Sequence, residues 1–226
     1  MQDSYLSDSA SESNNFPTEE ELLTLKRVPA PIPWRIYTIA FVELVERMSY
    51  YGCVQVYSNF ISKPRLTPTG MAVDPDDANA QPGALGMGKQ IAFSLTTFNS
   101  FWVYVTPFLG AWIADTYLGR FNTIVIAVII AEVGHVILTA SAAPSVLDNS
   151  NTALGVFVLG IIVMGLGTGM FKPNISPLIA EQVPLEKMRV ETKKGQRVIV
   201  DPSVTIVRVY NYFYMYAILL FQTIAP

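Results

Sequence analysis

Cysteine, histidine and charged side chains are all scarce in this sequence. The one cysteine, Cys53, cannot form a disulfide within the chain, and one cysteine with one histidine is too few ligands for a zinc site. Charged residues make up 15% of the 226 residues, whereas about 25% is usual in a soluble domain. The formal net charge is -3 and no strongly basic domain stands out, so nucleic acid is not an expected partner.

Catalytic motifs are also missing from the sequence. We find no nucleophile–base pair, metal-ligand cluster or nucleotide-binding loop, and we therefore expect neither an enzyme nor a bound cofactor. Apolar residues, in contrast, make up 51% of the chain and gather in five long runs, near residues 34–61, 88–114, 120–142, 154–180 and 204–225. Each run can cross an apolar core of about 30 Å as a helix. We predict an all-α, multi-pass membrane protein in which a bundle of about five transmembrane helices spans residues 34–226.

The polar residues outside these runs predict the orientation of the chain. Residues 1–33 lack the apolar core of a cleavable signal peptide and are interpreted as a cytosolic tail. Within this tail, Thr18 and Glu21 have the spacing of a capping box and predict a short helix. Lysine and arginine are concentrated in the linker after the fourth run. Because such residues favour the cytoplasmic side, we expect the N-terminus and this linker to be cytoplasmic.

Three charged residues interrupt the first apolar run, in "FVELVERMSYYG" at residues 41–52. Glu43, Glu46 and Arg47 share one helical face with Tyr50, and Arg47 can meet Glu43 one turn away. Each charge costs about 2.5–3.5 kcal/mol at mid-membrane, so the face cannot be turned to lipid. It forms either a static ion pair that holds helices in register or a proton-carrying site. Ionisable groups at this depth favour the second interpretation.

Lys172 lies in the middle of the fourth, glycine-rich run and needs a counter-charge. We predict that it pairs with Glu43 or Glu46, because these are the intramembrane acids best placed to do so. The alternative is that its long side chain reaches an interface.

Two further charged pairs are candidates for polar contacts between helices. Asp115 and Arg120 bracket a tight turn and predict a gating latch at the cytoplasmic side, with a simple topology-setting role as the alternative. Glu132 and His135, three residues apart, are either a second proton relay or a hydrogen-bonded polar pair between helices. We favour the polar pair.

Several of these segments resemble one family. "ELVERMSYYG" (43–52) is similar to the E-x-x-E-R motif and following tyrosines of the proton-dependent oligopeptide transporters, within the major facilitator superfamily. Further similar segments are "GAWIADTYLGRF" (110–121), "GTGMFKPNISPLIAEQ" (167–182) and "RVIVDPSVT" (197–205), the last of which resembles fungal members. These pieces stand in the family's order and spacing.

The resemblance implies a function and a role for each matching residue. It implies proton-coupled symport of di- and tripeptides, with protons as the coupling ion, in a multi-pass protein of the plasma membrane. Proton coupling would fall to Glu43, Glu46 and Arg47. The peptide would meet Lys172, which receives its carboxylate, and three tyrosines, Tyr50, Tyr51 and Tyr104.

The family fold has twelve helices in two bundles, and this chain would supply most of the first. We therefore expect a truncated N-terminal bundle, with the C-terminal bundle as its missing partner. Two alternatives to peptide symport stay open. One is a truncated, non-transporting membrane protein, and the other is a transporter of another small anion such as nitrate.

Overall fold

The computed structural model describes residues 16–65, 82–183, 187–193 and 195–224. Residues 1–15 of the predicted tail, residues 66–81 of the first linker and residue 225 of the fifth apolar run lie outside these ranges. The described helices are α1 (Glu19–Thr24), α2 (Trp34–Ser62), α3 (Gly88–Ile113), α4 (Arg120–Ser141), α5 (Pro144–Leu147), α6 (Ser150–Glu181) and α7 (Pro202–Ile224). Five of them have 22 to 32 residues and coincide with the five predicted apolar runs.

Two helical stretches of the described chain are long and apolar enough to cross a membrane, Gly88–Ser141 and Ser150–Glu181. The first stretch comprises α3 and α4, joined by the π-helical turn Ala114–Leu118 and by Gly119. Gly119 has φ 72°, a conformation that side chains disfavour, and this lets the chain turn sharply between the two helices. The all-α prediction therefore holds for this part of the chain.

Residues 42–178 form one compact unit, in which α6 packs against both α3 and α4. Against α4, Gly167 lies on the backbone of Ala131 and Gly134 lies on the backbone of Met164. Against α3, Gly110 lies on the backbone of Met170. A side chain at any of these three glycines would overlap a backbone atom. Small residues thus permit the close helix approach typical of membrane bundles.

Two side chains of α3 add hydrogen bonds to this packing. The indole Nε1–H of Trp102 donates to the carbonyl of Ile162 at 2.9 Å, and the Thr106 hydroxyl donates to the carbonyl of Gly165 at 3.1 Å. These carbonyls lie in the part of α6 that precedes Pro173. Side-chain hydrogen bonds of this kind contribute about 0.6 kcal/mol each between membrane helices, so the packing of the glycine faces carries more weight.

The described residues before 42 and after 178 form a second compact unit that contains a small sheet. Strand β1 (Arg27–Val28) pairs in parallel with β3 (Gln196–Val200), and β3 pairs in antiparallel with β2 (Arg189–Lys193), so the order is β1-β3-β2. Gly195, with φ 78°, lies between the two strands of the hairpin. These strands were not predicted from the sequence.

The N-terminal segment is fixed to this hairpin by capping and ion pairs. Thr18 and Glu21 form the predicted capping box at the start of α1, and the Glu21 carboxylate also pairs with Arg197. Arg27 Nη1 lies 3.2 Å from Asp201 Oδ2, and the Asp201 side chain is only 1% exposed. Asp201 also accepts hydrogen bonds from the backbone N–H and hydroxyl of Ser203, at 2.9 and 2.6 Å, and so caps α7.

Substitution of Gly167 by alanine is expected to destabilise the helix packing, because the added methyl group meets the backbone of α4. Overpacking of this kind costs about 1–3 kcal/mol, which corresponds to a fall on the order of 5 °C in unfolding temperature. The matched control is Gly155→Ala on the same helix, where nothing lies within 4 Å of an added Cβ. Thermal unfolding in detergent measures the unfolding temperatures of both purified variants. Equal stability of the two variants would contradict the packing described here.

The contact between β1 and β3 is expected to weaken in acid. Burial opposes ionisation of Asp201, but hydrogen bonds from Ser203 and the charge of Arg27 outweigh it and hold the pKa of this carboxyl below its usual value. A lowered folded-state pKa means that this stabilisation is complete above about pH 4 and is lost as the pH falls further.

Hydrogen exchange at the Asp201 amide, which donates to the Val28 carbonyl at 3.1 Å, measures this contact. We expect exchange to accelerate about tenfold in Asp201→Asn at neutral pH, because a hydrogen bond to a charged group is worth about 1.5–3 kcal/mol. Asp148→Asn serves as the control, since that side chain is 79% exposed and its ion pair spans 3.9 Å. Unchanged exchange in Asp201→Asn would refute the assigned role.

Candidate functional site

The charged face of α2 is turned into the helix unit, as its sequence predicts. Glu46 and Arg47 have side chains that are only 10% and 18% exposed. Arg47 Nε lies 2.6 Å from Glu46 Oε2, although the N–H does not point at the oxygen, so the contact is an ion pair without an aligned hydrogen bond. Sequence spacing suggested that Arg47 would meet Glu43. In the structure the carboxylate in ion-pair contact is that of the neighbouring Glu46.

Buried polar atoms without a hydrogen-bond partner are concentrated around this ion pair. Among the described residues they include Oε2 of Glu43, both carboxyl oxygens of Glu46, and Nε and Nη2 of Arg47. The hydroxyl of Thr168 on α6 and Oδ1 of Asn99 on α3 are also buried without a hydrogen-bond partner. Because nearly all buried polar groups in proteins are paired, such a density of unpaired ones makes this cluster a candidate functional site.

Aromatic rings flank the Arg47 guanidinium. Its Cζ lies 6.0 Å from the ring centroid of Tyr50 and 6.0 Å from that of Phe171, at the outer limit of a cation–π contact. Phe171 is 1% exposed and belongs to α6. The ion pair of α2 is therefore covered by the helix that also carries Lys172.

The two tyrosines that follow the motif differ in position. Tyr50 is 8% exposed, belongs to the hydrophobic core, and accepts a hydrogen bond from Asn99 Nδ2 at 3.2 Å. The role of Tyr50 in lining a peptide pocket, which the family resemblance implies, stays a prediction. Tyr51 is partly buried and meets the Tyr50 ring edge-on at 5.2 Å.

Lys172 and Tyr104 lie together on the exposed side of the unit. The Lys172 ammonium is 4.8 Å from the ring centroid of Tyr104, and Tyr104 is 69% exposed. The Lys172 ammonium interacts electrostatically with Glu43, but no direct salt bridge to Glu43 or Glu46 is found among the described residues, so the predicted pairing stays a prediction. Phe171 faces the Arg47 guanidinium, whereas the ammonium of the next residue, Lys172, lies over the Tyr104 ring.

Asp115 and Arg120 meet across the turn between α3 and α4, as the sequence suggested. Arg120 Nη2 lies 3.6 Å from Asp115 Oδ1, and the two side chains are 33% and 66% exposed. An exposed pair of this kind contributes little to stability. Its role as a gating latch stays a prediction.

His135 on α4 reaches a partner that the sequence analysis missed. Its Nε2 lies 3.0 Å from the hydroxyl of Ser49 on α2, and its Nδ1 lies 2.9 Å from the carbonyl of Ala131. Glu132, the partner considered from sequence, is exposed. No sequence signal identifies Ser49, Thr168, Asn99 or Phe171, because their proximity to the ion pair depends on which helices pack together.

Metal-binding clusters are not found in the part of the chain that the structure describes, where no three His, Cys, Asp or Glu side chains are grouped to hold an ion. The charged cluster can exchange protons between carboxylates and their surroundings. The exposed lysine and tyrosine can bind an anionic group beside an apolar one.

Comparison with known proteins gives consistent matches. A family model described as the POT family matches residues 121–218. The probable peptide transporter ptr2 of Schizosaccharomyces pombe is 48% identical over 88% of this chain and 30% of its own length. The peptide transporter PTR2 of Saccharomyces cerevisiae is 39% identical over 95% of this chain and 36% of its own. The chain thus spans about a third of the length of the curated relatives that it matches.

A solved structure shares the fold. The crystal structure of the POT family transporter PepTSo, obtained in meso, superposes with a TM-score of 0.57 and covers 82% of this chain and 29% of that one, at 23% sequence identity. Residues 121–218 thus match the POT family, and most of the chain is similar in sequence to fungal peptide transporters.

Proposed function

We propose that this chain acts in the proton-coupled symport of di- and tripeptides, as the N-terminal bundle of a transporter with a second, C-terminal bundle. The buried ion pair of Glu46 and Arg47, with Glu43 beside it, is the observation that carries the proposal. Charges that are costly to bury at this depth indicate a proton or substrate path. The names of the fungal relatives supply the substrate class.

Proton coupling follows from the chemistry of the cluster. When Glu46 is ionised, its charge balances that of Arg47 at 2.6 Å. Protonation of Glu46 removes this attraction, and the guanidinium is then free to turn to another acceptor. Glu43, which has an unpaired carboxyl oxygen, is the nearest alternative on the same helical face. Binding of a proton therefore changes the partner of an arginine that lies between two helices.

Peptide recognition is assigned to the exposed pair of Lys172 and Tyr104. A lysine ammonium binds a carboxylate as a point charge, and the tyrosine ring offers an apolar face to a side chain. The ammonium lies 4.8 Å from the ring centroid, and this proximity supports assigning both functions to one position. Alternating access requires two bundles that rock about such a central site, and this chain supplies one of them.

The proposed orientation places the tail, the hairpin and the turn between α3 and α4 on the cytoplasmic side of the plasma membrane. The hairpin strands and β1 carry Arg27, Arg189, Lys193 and Arg197, and the turn carries Arg120. Such residues are concentrated on the cytoplasmic side of membrane proteins. In this arrangement all five long helices cross the bilayer.

A second candidate is transport of another small anion, such as nitrate, on the same fold. The exposed ammonium of Lys172 favours it, since this group would bind either anion. Mutual competition between a dipeptide and nitrate in an uptake assay separates the two functions. Inhibition of labelled dipeptide uptake by unlabelled dipeptide, but not by nitrate, is the expected result.

Substitution of Arg47 by alanine is expected to reduce proton-driven dipeptide uptake by about tenfold or more, because buried carboxylates would lose their counter-charge. The assay uses the product of the natural gene in a host that lacks peptide uptake, with and without a protonophore. Lys89→Ala, which removes an exposed cation at the start of α3, is the control and is expected to transport normally. Gradient-independent uptake by the wild type, or normal uptake by Arg47→Ala, would count against the proposal.

Substitution of Lys172 by glutamine is expected to weaken recognition of the peptide carboxylate. A hydrogen bond to a charged group is worth about 1.5–3 kcal/mol, so the KM for a dipeptide should rise about tenfold or more. The KM for the corresponding dipeptide amide, which lacks the carboxylate, should change little. Lys172→Arg keeps the charge, so its KM for the dipeptide should lie between the values of the wild type and Lys172→Gln. An equal effect on dipeptide and amide would contradict the assignment.

A further inference from the structure

We propose that His135 and Ser49 continue the charge cluster of α2 into a proton path between α2 and α4. This inference rests on the proposed function, since it assumes that protons are carried, and it names residues that the charged motif does not include. The contact that carries it is the hydrogen bond between Ser49 Oγ and His135 Nε2, at 3.0 Å.

The hydrogen bonds of His135 determine its tautomer. A backbone carbonyl only accepts, so the contact of Nδ1 with the Ala131 carbonyl at 2.9 Å requires a proton on Nδ1. Nε2 of the neutral ring is then an acceptor, and the Ser49 hydroxyl donates to it. The ring is thus held with its unprotonated nitrogen directed at α2, the orientation that a proton acceptor needs.

The Ser49 hydroxyl can accept a further hydrogen bond, and this would connect the Ser49–His135 pair to Glu46 of the charge cluster. Ser49 follows Glu46 by one helical turn, so the two side chains share a face of α2. The Ser49 hydroxyl uses its hydrogen for His135 and keeps its lone pairs for a second partner. Both carboxyl oxygens of Glu46 are buried without a hydrogen-bond partner among the described residues.

Among the described residues, the other titratable groups on this part of α2 are Glu43 and Arg47 of the charge cluster, Tyr50, and Cys53, one turn after Ser49. On α4 itself Glu132 is exposed. The helix α6 packs on the same part of α4 through its glycines, and the charged group that it carries within the unit, Lys172, has its ammonium over Tyr104 on α3. Glu46 lies one turn before Ser49, whereas Glu43 lies about two turns before it, so Glu46 is the acid that the Ser49–His135 pair is placed to serve.

The transfer is balanced without any further reactant. The carboxylic proton of Glu46 passes to the Ser49 oxygen while the hydroxyl proton of Ser49 passes to His135 Nε2. One O–H bond of Glu46 breaks, one N–H bond of His135 forms, and the serine hydroxyl is regenerated. Glu46 becomes a carboxylate that can pair with Arg47, and His135 becomes an imidazolium that keeps its contact with Ala131.

The test compares two assays of the natural gene product in vesicles. His135→Gln can keep the contact with Ser49 but cannot take up a proton. We expect it to lose proton-driven accumulation of a labelled dipeptide by about tenfold, as removal of a proton-transfer group typically costs 10²–10⁴-fold in the step concerned. Counterflow exchange of labelled for unlabelled dipeptide, which needs no gradient, should stay within about twofold of wild type. Proton-driven accumulation at the wild-type level in His135→Gln would overturn the inference.

Two variants of Ser49 test the proposed path if His135→Gln folds too poorly to support counterflow exchange. Ser49→Ala should lose proton-driven accumulation of the dipeptide in the same way. Ser49→Thr, which keeps the hydroxyl, should accumulate the dipeptide like the wild type. Normal coupling in Ser49→Ala would overturn the path. Glu132→Gln is the matched control on α4, and an equal loss there would overturn the route through Ser49. If the proposed function itself is wrong, the wild type would accumulate as much peptide without a proton gradient as with one, and this result is distinct from those above.

Discussion

Burial of the charged face of α2 is the constraint on which the arrangement of this unit depends. Glu43, Glu46 and Arg47 lie in a helix that is otherwise largely apolar, and lipid cannot surround them at acceptable cost. The helix α6 covers this face, and its residues Thr168 and Phe171 are almost fully buried. The ion pair compensates part of the charge, but several of its polar atoms stay unsatisfied. A site that is stable but incompletely satisfied is well suited to binding and releasing protons.

The glycines of α6 allow one helix to serve two sites. Gly167 brings the helix close to α4, and two residues beyond it Gly169 packs against Thr106 of α3. This packing fixes the rotation of α6 about its own axis. Phe171 is then directed at the buried ion pair, whereas Lys172 lies on the exposed side with Tyr104. Neighbouring residues of one helix thus contact both the proposed proton site and the proposed peptide site, and movement of α6 would affect both.

Sequence reasoning predicted features that depend on local pattern. The apolar runs gave the five long helices, the spacing of Thr18 and Glu21 gave a capping box, and the charged face of α2 was placed correctly inside the unit. Contacts that depend on which helices are neighbours were not predictable in this way. The position of the Lys172 ammonium over the Tyr104 ring, for example, depends on how α6 packs against α3. The strands of residues 189–200 were missed because their charged residues mask a β-branched pattern, and the contact of Ser49 with His135 requires knowledge of which helices are neighbours.

The most direct test of the central claim is whether a peptide carries protons with it. The natural gene product would be reconstituted into vesicles that contain a pH-sensitive dye, and a dipeptide would be added outside. If the buried cluster of α2 couples the two movements, the vesicle interior should acidify on addition of peptide, and Arg47→Ala should abolish the response. Uptake of labelled peptide without any acidification would contradict the account.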